Sequence, residues 1–538
     1  MKHASYIIKS SAIFTAAAPE PVSGAVVVAG NRILAVVPEE EIETYRSPDT
    51  TVIDAGSRLV MPGFNDAHMH FSLGAVQNDP DFCIFMVDCR SEAECVERVR
   101  IFAEEHPDNP WIYGWGWYCE MWENPSVPSR DSLDALGLDR PVCLSSFDLH
   151  TVWCNGEALK KMEITRHTPQ PAGGLIARDE AGEPSGILKE LPANKQMVDE
   201  VMNVPDLKAT LLKSLAAFRA LGITAIADVY PPGVTNPDVD RIFADMESKG
   251  ELTCRVSWFP DMKDLDEAKR LRDAYHTDRL RVAGVKQILD GVVEAHTACM
   301  SAPYEDRADC CGEPMLSQEE LNSYVLAAAR EGFPGKLHTI GDKAVTMALD
   351  AYEHAGNVLG SRDLHHSIEH AETISSRDIN RLADLNVLAT VQPIHSALGM
   401  LAGGYQLCLG EERAQNTWPF REILDAGGRL AFSTDYPAAY SINPLWNVYS
   451  AVTRCEPDEG APADGRSHTV TLAEALTAYT KSSAYAETFE DSLGTLEPGK
   501  LADIVIIDRN LFAIDPMEIR FAQVDLTMVD GEIRYERA

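Results

Sequence analysis

Residues 59–70 read LVMPGFNDAHMH. A short apolar run leads through Gly63 into a stretch that ends on two histidines. His68 and His70 are spaced i, i+2, so on a strand both side chains leave the same face. Two imidazoles on one face at a strand end make half of a zinc-type site. The fold follows from asking where the chain repeats such a short apolar strand. Counting LVMPGFNDAH (59–68), it does so eight times: GITAIADVY (222–230), LTCRVSWF (252–259), RVAGVKQIL (281–289), GKLHT (335–339), LHHSIEH (364–370), NVLATVQP (386–393) and GRLAFSTD (428–435). Helical stretches such as DLKATLLKSLAAFRAL (206–221) and SQEELNSYVLAAAREG (317–332) lie between them. Eight strand–helix units predict an α/β fold built on a (β/α)8 TIM barrel over residues 61–489. A doubly wound open sheet is the alternative.

The strand ends carry the chemistry. Lys286 ends the fourth strand, His338 the fifth, His370 the sixth and Asp435 the eighth. In a parallel barrel these ends converge on one rim, so residues hundreds of positions apart meet. Any one histidine alone reads as a structural residue. Four of them and an aspartate, all at strand ends, are hard to assign to packing. Lys286 is the odd member, since a buried ammonium is costly. Two nearby divalent cations would push it toward the neutral amine. That amine can take up CO2 and become an anionic carbamate bridging the metals. The plainer reading pairs Lys286 with Asp435 or Asp290.

Outward from the barrel, both ends of the chain are β-rich. YIIKSSAIFT (6–15) and GAVVVAGNRILAVVP (24–38) precede the first barrel strand, and IVIIDRN (504–510) and VDLTMVDGEIRYE (524–536) close the chain. Gly30–Asn31 and Asp530–Gly531 are hairpin turns by composition. Residues 1–60 and 490–538 are thus expected to form one small β-sandwich. The first two barrel strands are separated by far more than a normal βα connection. Residues 71–205 are therefore expected to be an insertion after the first strand, covering the active-site mouth. Its aromatics Trp115, Trp117, Tyr118 and Trp122 either line a pocket or form the insertion's own core.

Lys and Arg number 47 against 83 Asp and Glu, giving a formal charge of −36. Duplex nucleic acid and anionic membrane surfaces are poor partners for such a chain. No apolar run is long enough to span a bilayer. SYIIKSSAIFT reads as a strand rather than a signal peptide, because Lys9 and two serines interrupt it. The twelve cysteines include no C-x-x-C pair, which suits reduced thiols in a cytoplasmic protein. No Gly-rich phosphate loop or G-x-S-x-G elbow opens a helix.

Taken together, IDAGSRLVMPGFNDAHMH (53–70), GWGW (114–117), GITAIADV, VKQILDG, HTIGD, SIEH, STDYP and LGTLEPGKLADIVIID (493–508) resemble the amidohydrolase superfamily, within it the YtcJ-like branch, amidohydrolase family 3. The resemblance implies two divalent ions, zinc or similar. His68 and His70 would hold the first with Asp435, His338 and His370 the second, and carboxylated Lys286 would bridge them. It implies a hydrolase acting on carbon–nitrogen bonds other than peptide bonds. The expected substrate is a small-molecule amide, an N-acyl or N-formyl amine, with Asp435 as general base and then acid. Cyclic amidase, deaminase or ester hydrolase chemistry on the same metals is the alternative, and a non-catalytic binding or regulatory protein a further one. His150, in a stretch similar to one whose histidine faces the pocket, is a candidate substrate contact. So are Trp115, Trp117 and His296, the last on the loop after Lys286. His365, His366 and His395 are expected to be structural, and Asp228 to sit behind the ligands. Barrels of this type commonly pair, so a homodimer is expected.

Overall fold

Gly63 is where one sheet becomes another. The computed structural model describes residues 3–538 except 148–149, 172–173, 191–192, 194–205, 230–238, 398, 440 and 458–467. Before Gly63 come β1 (Tyr6–Ile13), β2 (Val22–Ala29), β3 (Arg32–Val37), β4 (Thr51–Asp54) and β5 (Leu59–Pro62). β2 and β3 are joined by the expected two-residue turn, with Ala29 opposite Arg32 and Gly30 at φ 59°. After Gly63, β6 (Phe64–Met69) pairs with a different set of strands. A Cβ on Gly63 would lie 2.2 Å from Thr224 Oγ1, so the close approach needs glycine. The single run LVMPGFNDAH is therefore two strands in two sheets.

The chain divides into two compact units, one of Met1–Met69, Leu215–Pro232 and Phe243–Ala538, the other of His70–Ser214 and Gly233–Ile242. The second unit holds β7 (Cys83–Phe85), β8 (Ile112–Trp117), β9 (Val142–Ser146), β10 (Thr151–Cys154), β11 (Leu175–Arg178) and β12 (Pro184–Lys189). They form one mixed sheet in the order β11-β12-β10-β9-β8-β7. Helix Glu92–Glu105, capped by the Ser91 hydroxyl, packs Val99 and Phe102 into a core with Met86, Ile112, Leu144 and three tryptophans. The expected insertion thus has a sheet and a core of its own. Its last stretch in the sequence reading, around 191–205, lies largely outside the described residues.

The first unit continues with β13 (Ile223–Val229), β14 (Arg255–Phe259) and β15 (Leu280–Val282), parallel to β6 in the order β15-β14-β13-β6. A second parallel sheet follows in simple order: β16 (Val285–Ile288), β17 (Gly335–Thr339), β18 (Ser367–His370), β19 (Leu388–Val391) and β20 (Arg429–Phe432). β13, β14, β17, β18 and β19 are buried along their whole length, as strands covered on both faces are. Hydrogen bonds join the two sheets in two places, through the chain that follows β14 and through the chain that follows β20. On one side Lys286 N donates to Pro260 O at 2.8 Å and Met262 N to Lys286 O at 2.8 Å. On the other Asp435 N donates to His68 O at 2.9 Å.

The run 281–289 is expected as one strand and is two. Ala283 N bonds Trp258 O in the first sheet, and Val285 N bonds Pro334 O at the start of the second. Gly284 makes the step between them, since a Cβ there would lie 2.6 Å from Pro334 O.

β21 (Ile504–Ile507), β22 (Val524–Val529) and β23 (Glu532–Glu536) return to the N-terminal strands, giving the continuous order β23-β22-β21-β5-β1-β2-β3, with β4 beside β1. Residues from both chain ends, among them Ile8, Val26, Val60, Ile504 and Leu526, share one apolar core. The Asp530–Gly531 turn has both residues at positive φ, 59° and 75°. Asp530 also receives Arg255 at 3.0 Å and Arg279 at 3.0 Å, tying this turn to β14 and to the segment before β15.

Candidate active site

His68 lies near the end of β6, and His70 follows it at the start of the second unit. One ligand atom from each of His68, His70 and Asp435 falls within 4.8 Å of the others. Asp435 reaches them because the chain beyond β20 is clamped to β6. Besides the Asp435–His68 backbone bond, the buried Asp66 carboxylate accepts from Thr434 N at 3.0 Å and from His68 N at 3.2 Å. His68 Nε2 is 3.3 Å from Asp435 Oδ1.

The other expected residues join through His370. Its ring centre is 5.0 Å from that of His68 and 4.3 Å from that of His338, and its Nδ1 is 3.8 Å from Asp435 Oδ2. His338 Nε2 is 3.4 Å from Gly291 O. Lys286 is buried, and its charge bears on both His370 and Asp435.

The electrostatics of this cluster are governed by burial. Loss of water pushes Asp435 up to about 7, with the Lys286 and His395 charges opposing. Burial pulls Lys286 down to about 8 although Glu369 and Asp435 favour its ammonium form. It holds His370 well below the usual histidine range, helped by repulsion from His338, His68 and Lys286. His370 and Asp435 also sit at φ 73° and 55°, left-handed positions that side chains other than glycine adopt at a cost of roughly 1–3 kcal/mol. Among the described residues, Lys286 Nζ and His370 Nε2 are buried without a hydrogen-bond partner. Imidazole and carboxylate donors around such atoms fit a divalent cation. The simpler pairing of Lys286 with Asp290 is not found: the Asp290 carboxylate accepts instead from Cys299, Ile340 and Gly341 N–H groups at 2.8–3.0 Å.

A family model described as the amidohydrolase family matches residues 51–535. The chain belongs to the amidohydrolase family. The match takes in every residue of the cluster just described. Among similar proteins, Protein LONG AFTER FAR-RED 3 of Arabidopsis thaliana is 29% identical over 99% of this chain and 92% of its own length. N-substituted formamide deformylase of Arthrobacter pascens is 29% identical over 95% of each chain. An uncharacterised metal-dependent hydrolase from Pyrococcus furiosus, solved by crystallography, superposes with a TM-score of 0.73 at 26% identity, covering 95% of this chain and 99% of that one. This amidohydrolase is accordingly an enzyme, a metal-dependent hydrolase acting on carbon–nitrogen bonds.

Of the candidate substrate contacts of this amidohydrolase, Trp117 lies in the core of the insertion with Trp122 and Trp153, ring centres 6.1 Å away, which is the second of the two places the sequence leaves open for these aromatics. The cause is a bulge at Gly116, φ 97°, which turns Trp117 onto the face of Ile112. Trp115 is buried on the other side, stacked on Phe147 and edge-on to Phe85. His150 pairs through Nδ1 with Glu190 at 2.8 Å. His296 pairs through Nε2 with Asp306 at 2.9 Å. His365 and His366 are structural as expected: one bonds Glu490, and the other accepts from Gly335 N and stacks on Tyr352. Asp228 stands at the end of β13, opposite Met69.

Residues that the sequence reading passed over stand behind the cluster. Glu369, one residue before His370, is fully buried and bonds His68 Nδ1. Ser367 Oγ donates to it, and Lys336 Nζ lies 3.5 Å from it and 3.1 Å from Ala67 O. Gln392 Oε1 holds His370 Nδ1 at 3.0 Å. His395, which the sequence did single out and which is expected to be structural, is buried within reach of the Asp435 charge, and burial lowers its pKa. The signal available for Glu369 was the carboxylate that ligand histidines use to fix their tautomer, sought on another strand. A surface cleft of about 410 Å³ near Ala16–Pro19 and the start of β20 contains none of these residues.

Proposed function

We propose that the two parallel sheets, linked by backbone hydrogen bonds in two places, form one (β/α)8 barrel whose rim holds the catalytic cluster, and that the enzyme hydrolyses the amide bond of a small N-acyl or N-formyl amine. The observation that carries this reading is that His68, His70, His338, His370, Lys286 and Asp435 lie on or just after five separate strands, and that their rings and charges bear on one another. The length-wide similarity to an N-substituted formamide deformylase supports the N-formyl class.

His68, His70 and Asp435 would hold one divalent ion, and His338 and His370 a second. Lys286 would bridge them as a carbamate. Its Nζ adds to CO2 and loses a proton, a reaction open only to the neutral amine that burial favours. Bound zinc-class ions supply Lewis acidity, which acidifies water and polarises an amide carbonyl. Asp435 takes the proton of the attacking water on a carboxylate oxygen. It then delivers that proton to the amine nitrogen as the C–N bond breaks. Glu369 keeps the His68 Nδ1 proton in place, which leaves Nε2 to face Asp435. Gln392 orients His370 in the same way.

The test is assay of the metal-loaded protein against a panel of N-formyl and N-acyl amines, with product analysis. Formate or carboxylate plus free amine is the expected outcome, abolished by chelation and restored by added metal. Turnover that survives both chelation and Asp435→Asn would defeat the proposal.

A further inference from the structure

The loop that leaves β16 builds a second group of soft and hard donors. It begins at Asp290, whose carboxylate pins it to the backbone just after His338 through Ile340 and Gly341. It carries His296, at φ 59°, and Asp306, whose carboxylate meets the His296 ring. The ring is also held edge-on by Tyr304, whose hydroxyl is fixed to Ala298 O at 2.7 Å. Facing them is Cys408, on helix Gly399–Gln415 two residues before that helix kinks at Gly410. The backbone there is locked to the loop, since Glu305 N donates to Cys408 O at 2.7 Å.

One ligand atom from each of His296, Asp306 and Cys408 lies within 4.8 Å of the other two. Cys408 is 3% exposed, and among the described residues its thiol makes no hydrogen bond. It is surrounded by negative charge: Asp306 and Glu294 add to burial in holding its proton on. Three donors of different type on two elements, with a buried thiol beside the Asp306 carboxylate and the His296 ring, are better explained by a cation than by packing. A buried cysteine that is only a small hydrophobe has no need of anionic neighbours.

We propose that His296, Asp306 and Cys408 form a cation site separate from the strand-end cluster, taking a single zinc-class divalent ion. Thiolate and imidazole select a borderline transition ion over magnesium or calcium. Binding releases the thiol proton, so the affinity rises with pH. The ion clamps the loop that follows Lys286 to the helix that carries Cys408.

Cobalt(II) titrated into the metal-stripped, full-length protein tests this, because a thiolate ligand gives a sulfur-to-cobalt charge-transfer band in the near ultraviolet. The strand-end cluster contains no cysteine and gives none, so the result does not depend on the hydrolase reading. Wild type is expected to show the band. Cys408→Ser is expected to lose it, Cys310→Ser to keep it, and Asp306→Asn to need at least tenfold more cobalt. His296→Ala, a change on a loop, is expected to lose or shift the band with the thermal transition retained. Absence of the band in wild type, its persistence in Cys408→Ser, or an unchanged titration in both His296→Ala and Asp306→Asn overturns the proposal.

Discussion

Trp117 at the end of β8 and His370 at the end of β18 are equally buried, each 3% exposed. Around Trp117 lie Trp122, Trp153 and aliphatic side chains, and its one polar atom donates to Leu144 O at 2.7 Å. Around His370 lie two histidines, a lysine and an aspartate. The first environment is satisfied by its own atoms and gains from every apolar contact. The second gathers titratable groups that lose solvation on burial, and among the described residues Lys286 Nζ and His370 Nε2 make no hydrogen bond. On the proposed function, equal burial marks a core in one sheet and a reaction centre in the other.

The difference is broken most sharply by exchanging the kinds of damage. Asp435→Asn is expected to lower kcat by about 10²–10⁴-fold while the protein stays folded. Trp117→Ala is expected to cost about 3–5 kcal/mol of stability. Substrate KM, measured on the fraction that remains folded, is expected to hold. A Trp117→Ala protein of normal stability but raised KM would return this residue to the substrate pocket.

A smaller effect sharpens the role of the residues behind the cluster. Glu369→Gln keeps the shape but replaces a charged acceptor of the His68 Nδ1 proton by a neutral one, so metal affinity is expected to fall about 10–100-fold. Competition with a chelator of known strength measures this. An unchanged affinity would reduce Glu369 to packing.

The smallest effect concerns pH. Burial raises Asp66, Asp435 and Glu487 to about 7 in the folded, metal-free protein. Unfolded carboxyls titrate near 4, so between about pH 4 and 7 the folded state holds more protons, and these groups lose their stabilising contribution as pH rises. Lys286, lowered to about 8, acts in the opposite sense, but only above that pH. The melting temperature of Asp435→Asn is thus expected to fall less steeply than that of wild type from pH 5 to 7. Parallel slopes would contradict the burial of Asp435 as the source.

Much of this was legible in one sequence because strands of a parallel sheet are apolar throughout and end where their polar residues begin. His68, His338, His370 and Asp435 could be picked out by that rule alone. The rule misled at 59–68 and 281–289, where Gly63 and Gly284 let the chain change sheets without any break in apolar character. It misled again at GWGW. A period-of-two reading puts Trp115 and Trp117 on one face, whereas the bulge at Gly116 separates them. Glu369 escaped notice because a charged residue between Ile368 and His370 looks like the solvated side of a strand. In a sheet covered on both faces that side is also interior.

Residue types and their spacing along the chain determined the family, the alternation of strand and helix, and the hairpins at Gly30 and Asp530, because these depend on neighbours within a few residues. Which side chains share a space was decided only by tertiary structure. His68 meets Glu369, and Cys408 meets His296, across long stretches of chain and through backbone bonds that no local pattern records. Local sequence sets the direction in which a side chain leaves its own backbone. What it finds there depends on the packing of elements that are distant in sequence.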